Sequence, residues 1–332
     1  MADMDSDNLT NLNSNVTDFS SAFIKTALPV FYCLIFAGGL ILNCLAALIF
    51  FRIPSNTSFI IYLKNIVVAD LLMTLTFPFK IVNDFGSGGW RMRVIVCRYT
   101  AVVFYMNMYV GITFLGLISL ERYLKIVRSS GASVMQNVTY ARVICAATWC
   151  LLIFFNLPNS ILTSKEATEE TSWHCIRLKT ELGVQWHKVT NYFSVSIFWA
   201  VFLLMGFCYA SITKKIYDSY QKCRRDRTET RKKSNRNIFS ILVVFFICFV
   251  PYHACRISYT LSQTAGSFSA QSKFVLFHLK ESTLMLSALN VCLDPVIYFL
   301  MCKLFRELLL ERFSEKSTEM RRKSVSYSAT TV

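Results

Sequence analysis

Seven runs of apolar residues set the outline of the chain, at about 26–51, 59–84, 94–126, 141–163, 187–213, 237–261 and 273–300. Runs of this length predict membrane-spanning helices. Hydrocarbon offers no water to a polar backbone, and a helix satisfies its own N–H and C=O groups. Several runs exceed the ~20 residues that a crossing needs, which predicts tilt or extension beyond the bilayer. A shorter amphipathic run follows, with Phe305, Leu308 and Leu309 on one helical face and Lys303, Arg306 and Glu307 polar. That is the pattern of a helix lying on a membrane surface. The predicted fold is an all-α membrane protein: a seven-transmembrane helix bundle over 26–300 with a short amphipathic eighth helix over 301–313. An N-terminal segment, 1–25, and a tail, 314–332, flank it, and no soluble domain or internal repeat interrupts the pattern.

Composition agrees: of 332 residues 54% are hydrophobic and 17% charged, against about 25% charged in a typical soluble protein. The net charge of +15 would ordinarily raise nucleic acid as a partner, but its position answers the question. Lys214 to Arg236 holds ten basic residues and three acids, and the tail adds Lys303, Arg306, Arg312, Lys316, Arg321, Arg322 and Lys323. Basic residues beside membrane spans mark the cytoplasmic side. They point to anionic membrane lipid and an intracellular partner, not to nucleic acid. Residues 1–21 carry Asp3, Asp5 and Asp18 and no basic residue. Asn8 and Asn15 there stand in glycosylation acceptor motifs. The expected topology is a multi-pass plasma-membrane protein with an extracellular, glycosylated N-terminus and a cytoplasmic C-terminus.

Of twelve cysteines, eight fall within spans and two, Cys223 and Cys302, on the cytoplasmic side. Cys97 and Cys175 remain for the oxidising exterior, so one disulfide is expected, tying the top of the third helix to the loop after the fourth. Cys302 is a candidate for palmitoylation.

Polar groups are costly inside a bilayer, so each is a functional candidate. They sort into two layers. The inner one holds Asn43, Asp70, Asn290 and Asp294 near mid-membrane, Glu121-Arg122-Tyr123 at the cytoplasmic end of the third helix, Pro251 in the sixth, and Asp294-Pro295-Val296-Ile297-Tyr298 late in the seventh. These residues read both as glue between helices and as a bistable element that opens a cytoplasmic cleft. The outer layer gathers Tyr105 and Tyr109 on the third helix, Asn156 and Asn159 on the fourth, His187 and Asn191 on the fifth, His253, Arg256 and Tyr259 on the sixth, and Lys280-Glu281 on the seventh. Spacings of three or four put each set on one helical face. Brought together, they would line a polar cavity whose cations, Arg256 and Lys280, suit an anion, with a guanidinium fork for phosphate and tyrosine faces for a ring. That combination points to a nucleotide. The same residues also allow Glu281 to neutralise one cation while Lys280 reaches for the interface, and spacing does not choose between the two.

Asn43, Asp70, Cys97, Glu121-Arg122-Tyr123, Trp149, Cys175, Tyr209, Cys248-Phe249-Val250-Pro251 and Asp294-Pro295-Val296-Ile297-Tyr298, in that order, resemble a rhodopsin-class G-protein-coupled receptor over essentially the whole chain. Phe249 and Asp294, in place of the commoner Trp and Asn, resemble its purinergic branch. Ser58 to Asn65, Leu75 to Lys80, Phe249 to His253 and Lys280 to Leu284 resemble the Gi-coupled receptors for ADP and UDP-sugars. The resemblance implies a nucleotide or nucleotide-sugar ligand held by Tyr105, Asn156, Asn159, Lys179, His187, Asn191, Arg256, Tyr259 and Lys280. It implies a Gi-type G protein as partner and an activation switch built from Asp70, Glu121, Arg122, Tyr123, Phe249, Pro251, Asn290, Asp294, Pro295 and Tyr298. The chain departs from the family in three places: it lacks the cysteines of a second external disulfide, it has Gly111 where relatives often place a hydroxyl, and Val127-Arg128-Ser129 lacks a proline.

The tail offers phosphorylation sites at Ser324, Ser326, Ser328 and Thr330 for a receptor kinase and arrestin, and Thr330-Thr331-Val332 as a PDZ ligand. No cofactor or metal is expected, because none of the four histidines is spaced for a metal and no glycine loop cradles phosphate. An enzyme is therefore disfavoured, as is a transporter or channel, for which inverted repeats are missing. A receptor for an anionic lysophospholipid is the alternative, since the same cations suit it.

Overall fold

In the computed structural model, which describes residues 21–128, 137–222, 228–264, 268–312 and 314, the apolar runs are helices. Among the described residues seven are long and apolar enough to span a membrane: α1 Phe23–Phe50, α2 Ser58–Asp84, α3 Gly89–Arg128, α4 Val138–Ile161, α5 Glu181–Asp218, α6 Ile241–Thr264 and α7 Ala270–Met301. The helices of α5 and α6 continue past these limits, to Lys222 and from Thr228. Hydropathy marks only the part that hydrocarbon covers, so α3 and α5 begin five and six residues before the apolar runs at 94 and 187. Asn8, Asn15 and the tail beyond 314 lie outside the described residues.

Local chemistry sets several ends. Thr57, Asn137 and Ser269 cap α2, α4 and α7 with side-chain oxygens that accept from Ile60, Thr139 and Ser272 backbone N–H groups at 3.4, 2.8 and 3.2 Å. These acceptors serve donors that a helix start leaves unpaired. α2 breaks after Thr74 and resumes as Phe77–Asp84 with Pro78 in its first turn, where no N–H is needed. α7 is likewise two helices, Ala270–Ala288 and Asn290–Met301, joined at Leu289.

α3 is the hub, lying against α2, α4 and α5, while α6 and α7 adjoin each other and α7 closes on α1. Two glycines permit close approach. A Cβ on Gly39 of α1 would stand 2.6 Å from Val291 Cγ2 of α7, and one on Gly116 of α3 would stand 2.8 Å from Val201 Cγ1 of α5. Residues 303–312 form the short eighth helix, α8. Phe305 on it stacks on Phe50 with ring centroids 4.9 Å apart, and Leu308 and Leu309 meet the same core. Cys302, the palmitoylation candidate, is buried against the bundle.

Candidate ligand-binding site

Cys97 at the start of α3 is disulfide-bonded to Cys175 in the loop before α5, as expected, with Cα atoms 5.2 Å apart. The loop is further held by the backbone of Thr180 and Lys165, which donate to Leu162 and Leu178 carbonyls at 3.0 Å each. This arrangement carries Lys179 inward, where its ammonium donates to Thr163 Oγ1 at 3.0 Å and to the Asn159 carbonyl at 3.4 Å. Both partners are neutral, and burial pushes the lysine down to about 8.

Toward the same end of the bundle the polar faces meet around Arg256. Its guanidinium donates to Asn191 Oδ1 at 2.7 Å and lies 5.0, 5.6 and 6.0 Å from the ring centres of Tyr105, Tyr252 and Tyr259. Asn191 is bonded in turn to His187 Nε2 at 3.0 Å. Among the described residues no carboxylate is paired with Arg256. A guanidinium held by one amide and a cage of ring faces is buried yet not neutralised, so it retains its pull on an anion. Asn159 lies beside α5, donating to Thr190 Oγ1 at 3.1 Å, whereas Asn156 turns its amide back to the Leu152 carbonyl of its own helix.

Lys280 is buried and stands 5.2 Å from the Tyr259 ring centre, so it does not reach for an interface. Its charge is nonetheless taken, because its ammonium is ion-paired with Glu281. Tyr109 and His253 bond to each other at 3.0 Å. His253 Nδ1 donates to the Phe249 carbonyl at 2.8 Å, leaving Nε2 to accept from the tyrosine, and its ring stacks on Phe198 at 3.8 Å. These two residues form an α3–α6 tie.

The inner layer is also connected. Tyr298 donates to Asp70 Oδ2 at 3.1 Å, Asn290 to Asp294 Oδ2 at 3.5 Å, and Asn43 to the Val291 carbonyl at 2.6 Å. At the end away from the disulfide, Arg122 Nε lies 3.8 Å from Glu121 Oε2, with its guanidinium 4.0 Å from the Phe59 ring centre. Tyr123 faces Phe207 with centroids 5.5 Å apart. Pro251 lies inside α6, which runs on through it, and Pro295 lies inside the second of the two helices of α7.

The family profile for the 7 transmembrane receptor (rhodopsin family) matches residues 42–298. The chain is 51% identical to purinoceptor 14 of Bos taurus over 88% of its own length and 87% of that protein's. It is 44% identical to purinoceptor 13 of Homo sapiens over 86% of its length and 81% of that protein's. To the G-protein coupled receptor 87 of Mus musculus it is 46% identical, over 87% and 81%. The chain belongs to the rhodopsin family of seven-transmembrane receptors, in its purinoceptor branch.

The receptor contains three residues near the candidate site that sequence reasoning did not place there. Tyr252 stacks on Tyr105 with centroids 6.1 Å apart. Its spacing of four from Arg256 was the available signal. Lys80 and Asp84 of α2 form an ion pair at 2.9 Å, and Lys80 also reaches Glu281 at 3.0 Å. Four charges within spans were visible in the sequence; that α2 and α7 pool them was not.

Proposed function

We propose that the receptor binds an extracellular nucleotide or nucleotide-sugar at the disulfide end of the bundle and activates a Gi-type heterotrimeric G protein at the other. The observation that carries this reading is Arg256, a buried cation without a carboxylate partner among the described residues, surrounded by three tyrosine rings. Phosphate takes the guanidinium fork, and the base or sugar takes the ring faces around Tyr105. Lys179, His187 and Asn191 extend the same polar surface, with Asn156, Asn159, Tyr259 and Lys280 at its edges and the Tyr109–His253 tie adjoining it. The purinoceptor names of the relatives point the same way.

The ligand prefers the arrangement in which α6 has moved about Pro251, so binding shifts the population toward it. Arg122 then leaves Glu121 to receive the G protein, and Asp70, Phe249, Asn290, Asp294, Pro295 and Tyr298 repack between the two ends. The N-terminus, with Asn8 and Asn15, faces outside. The basic loop and tail face the cytoplasm, where a receptor kinase, arrestin and a PDZ protein find their sites.

The test is Arg256→Ala at matched surface expression, assayed for Gi activation against ADP, ATP, UDP, UDP-glucose and lysophospholipids. The potency of the active nucleotide is expected to fall by about a hundred-fold, the scale of a charge-assisted hydrogen bond removed from a buried site. Unchanged potency removes the phosphate role. A response confined to lysophospholipids and abolished in the same variant moves the assignment to a lipid phosphate.

A further inference from the structure

Lys280 and Lys80 share two carboxylates. Glu281 Oε1 holds Lys280, Glu281 Oε2 holds Lys80 at 3.0 Å, and Asp84 holds Lys80 at 2.9 Å. All four groups are buried or nearly so, and their formal charges cancel. Lys280 therefore presents little net field to an incoming anion, in contrast to Arg256, which has no such partner among the described residues. The geometry also supplies a way to open the pair. Glu281 touches two ammonium groups at once, so losing Lys280 does not leave it stranded, because Lys80 on α2 still holds its other oxygen.

We infer that Glu281 is a resident counter-anion on Lys280, which a ligand's second phosphate must displace, and that it thereby sets how strongly the receptor distinguishes a nucleoside diphosphate from a monophosphate. The inference rests on the nucleotide reading above. A phosphate on Arg256 meets no competing carboxylate among the described residues. A second one, reaching across to Lys280, exchanges with the Glu281 carboxylate, and Glu281 remains on Lys80. The carboxylate thus lowers the contribution of Lys280 to binding, and its neutralisation releases that contribution.

A double-mutant cycle measures this directly, using AMP, ADP, UMP, UDP and UDP-glucose on cells displaying equal surface amounts of each full-length variant. Glu281→Gln is expected to raise the potency of the active diphosphate about ten-fold and that of its monophosphate by less. Lys280→Ala is expected to cost about ten-fold more in the Glu281→Gln background than in the native one, a coupling of about 1.4 kcal/mol. A diffuse change in site potential adds independently of Lys280 and yields no coupling. Equal costs of Lys280→Ala in the two backgrounds overturn the inference, as does an equal gain for mono- and diphosphate. Should Glu281→Gln fail to reach the surface, Glu281→Asp shortens the reach by one methylene, and coupling of the same sign and smaller size is expected, its absence being equally decisive. If Arg256→Ala leaves potency unchanged, the nucleotide reading fails and this inference with it. If Arg256→Ala removes the response while the cycle is additive, only the counter-anion fails.

Discussion

Lys179 carries a prediction that joins stability to the proposed ligand. Its ammonium is buried against two neutral oxygens, with no carboxylate paired to it among the described residues, and burial lowers it to about 8 from its ordinary 10.5. The unfolded chain holds that proton more tightly, so stability rises with pH between these two values. An anionic ligand favours the protonated form, so its potency is expected to fall as pH rises through about 8. Lys179→Arg, always charged, is expected to flatten that slope in potency measured from about pH 7 to about pH 9. Lys179→Met removes an uncompensated charge and is expected to stabilise the ligand-free receptor by about 1–3 kcal/mol in thermal melts while weakening the nucleotide. The glycines divide in the same physical terms. A Cβ on Gly111 meets nothing within 4 Å, so Gly111→Ala is expected to gain up to about 1 kcal/mol of helix stability. A Cβ on Gly39 meets Val291 at 2.6 Å, so Gly39→Ala is expected to cost about 1–3 kcal/mol by overpacking. Thermal melts of the two purified variants decide both. Sequence alone ranks these glycines equally, because each sits in an apolar run and the difference lies in a neighbour from another helix.

Among the elements, α6 carries the most consequence. It holds Pro251, the His253 end of the Tyr109 tie and Arg256, so the candidate site and the proline share one helix. Tyr109→Phe leaves His253 Nε2 buried without its donor, a loss of about 1–3 kcal/mol from the arrangement that holds α3 to α6. Basal G-protein activation is expected to rise, and an unchanged basal level at equal surface display argues that the tie does not restrain α6. Apolar run length located all seven spans, with ends off by up to six residues where helices extend beyond the apolar stretch. The break in α2 was not predicted, although Pro78 was there to be read. A proline accounts for a helix start as readily as for a kink, and only the turn from Leu75 to Thr76 distinguishes them.

At the scale of the whole molecule, the Cys97–Cys175 bridge closes a separation of 78 residues and carries the loop that delivers Lys179. Replacing either cysteine by Ser is expected to cost about 2–4 kcal/mol and to reduce surface display. The double replacement is expected to cost no more than either single one, and additive losses in a surface-binding assay would show that the two do not act as one bridge. The two cysteines could be paired by elimination, because redox compartment and membrane position leave no other candidates.

The sequence by itself determined the seven spans, the short eighth helix, the bridge and the residue types that converge on Arg256. Each follows from a local rule: run length, helical spacing, or the cost of a polar group in hydrocarbon. The tertiary structure decided how the cations of α6 and α7 differ. Lys80 and Glu281 are 201 residues apart in the chain and 3.0 Å apart in space. Among the described residues this cluster cancels the charge of Lys280, and no carboxylate pairs with Arg256. Charge on a side chain is written in the sequence, but its neutralisation depends on distance, which only the assembled bundle fixes.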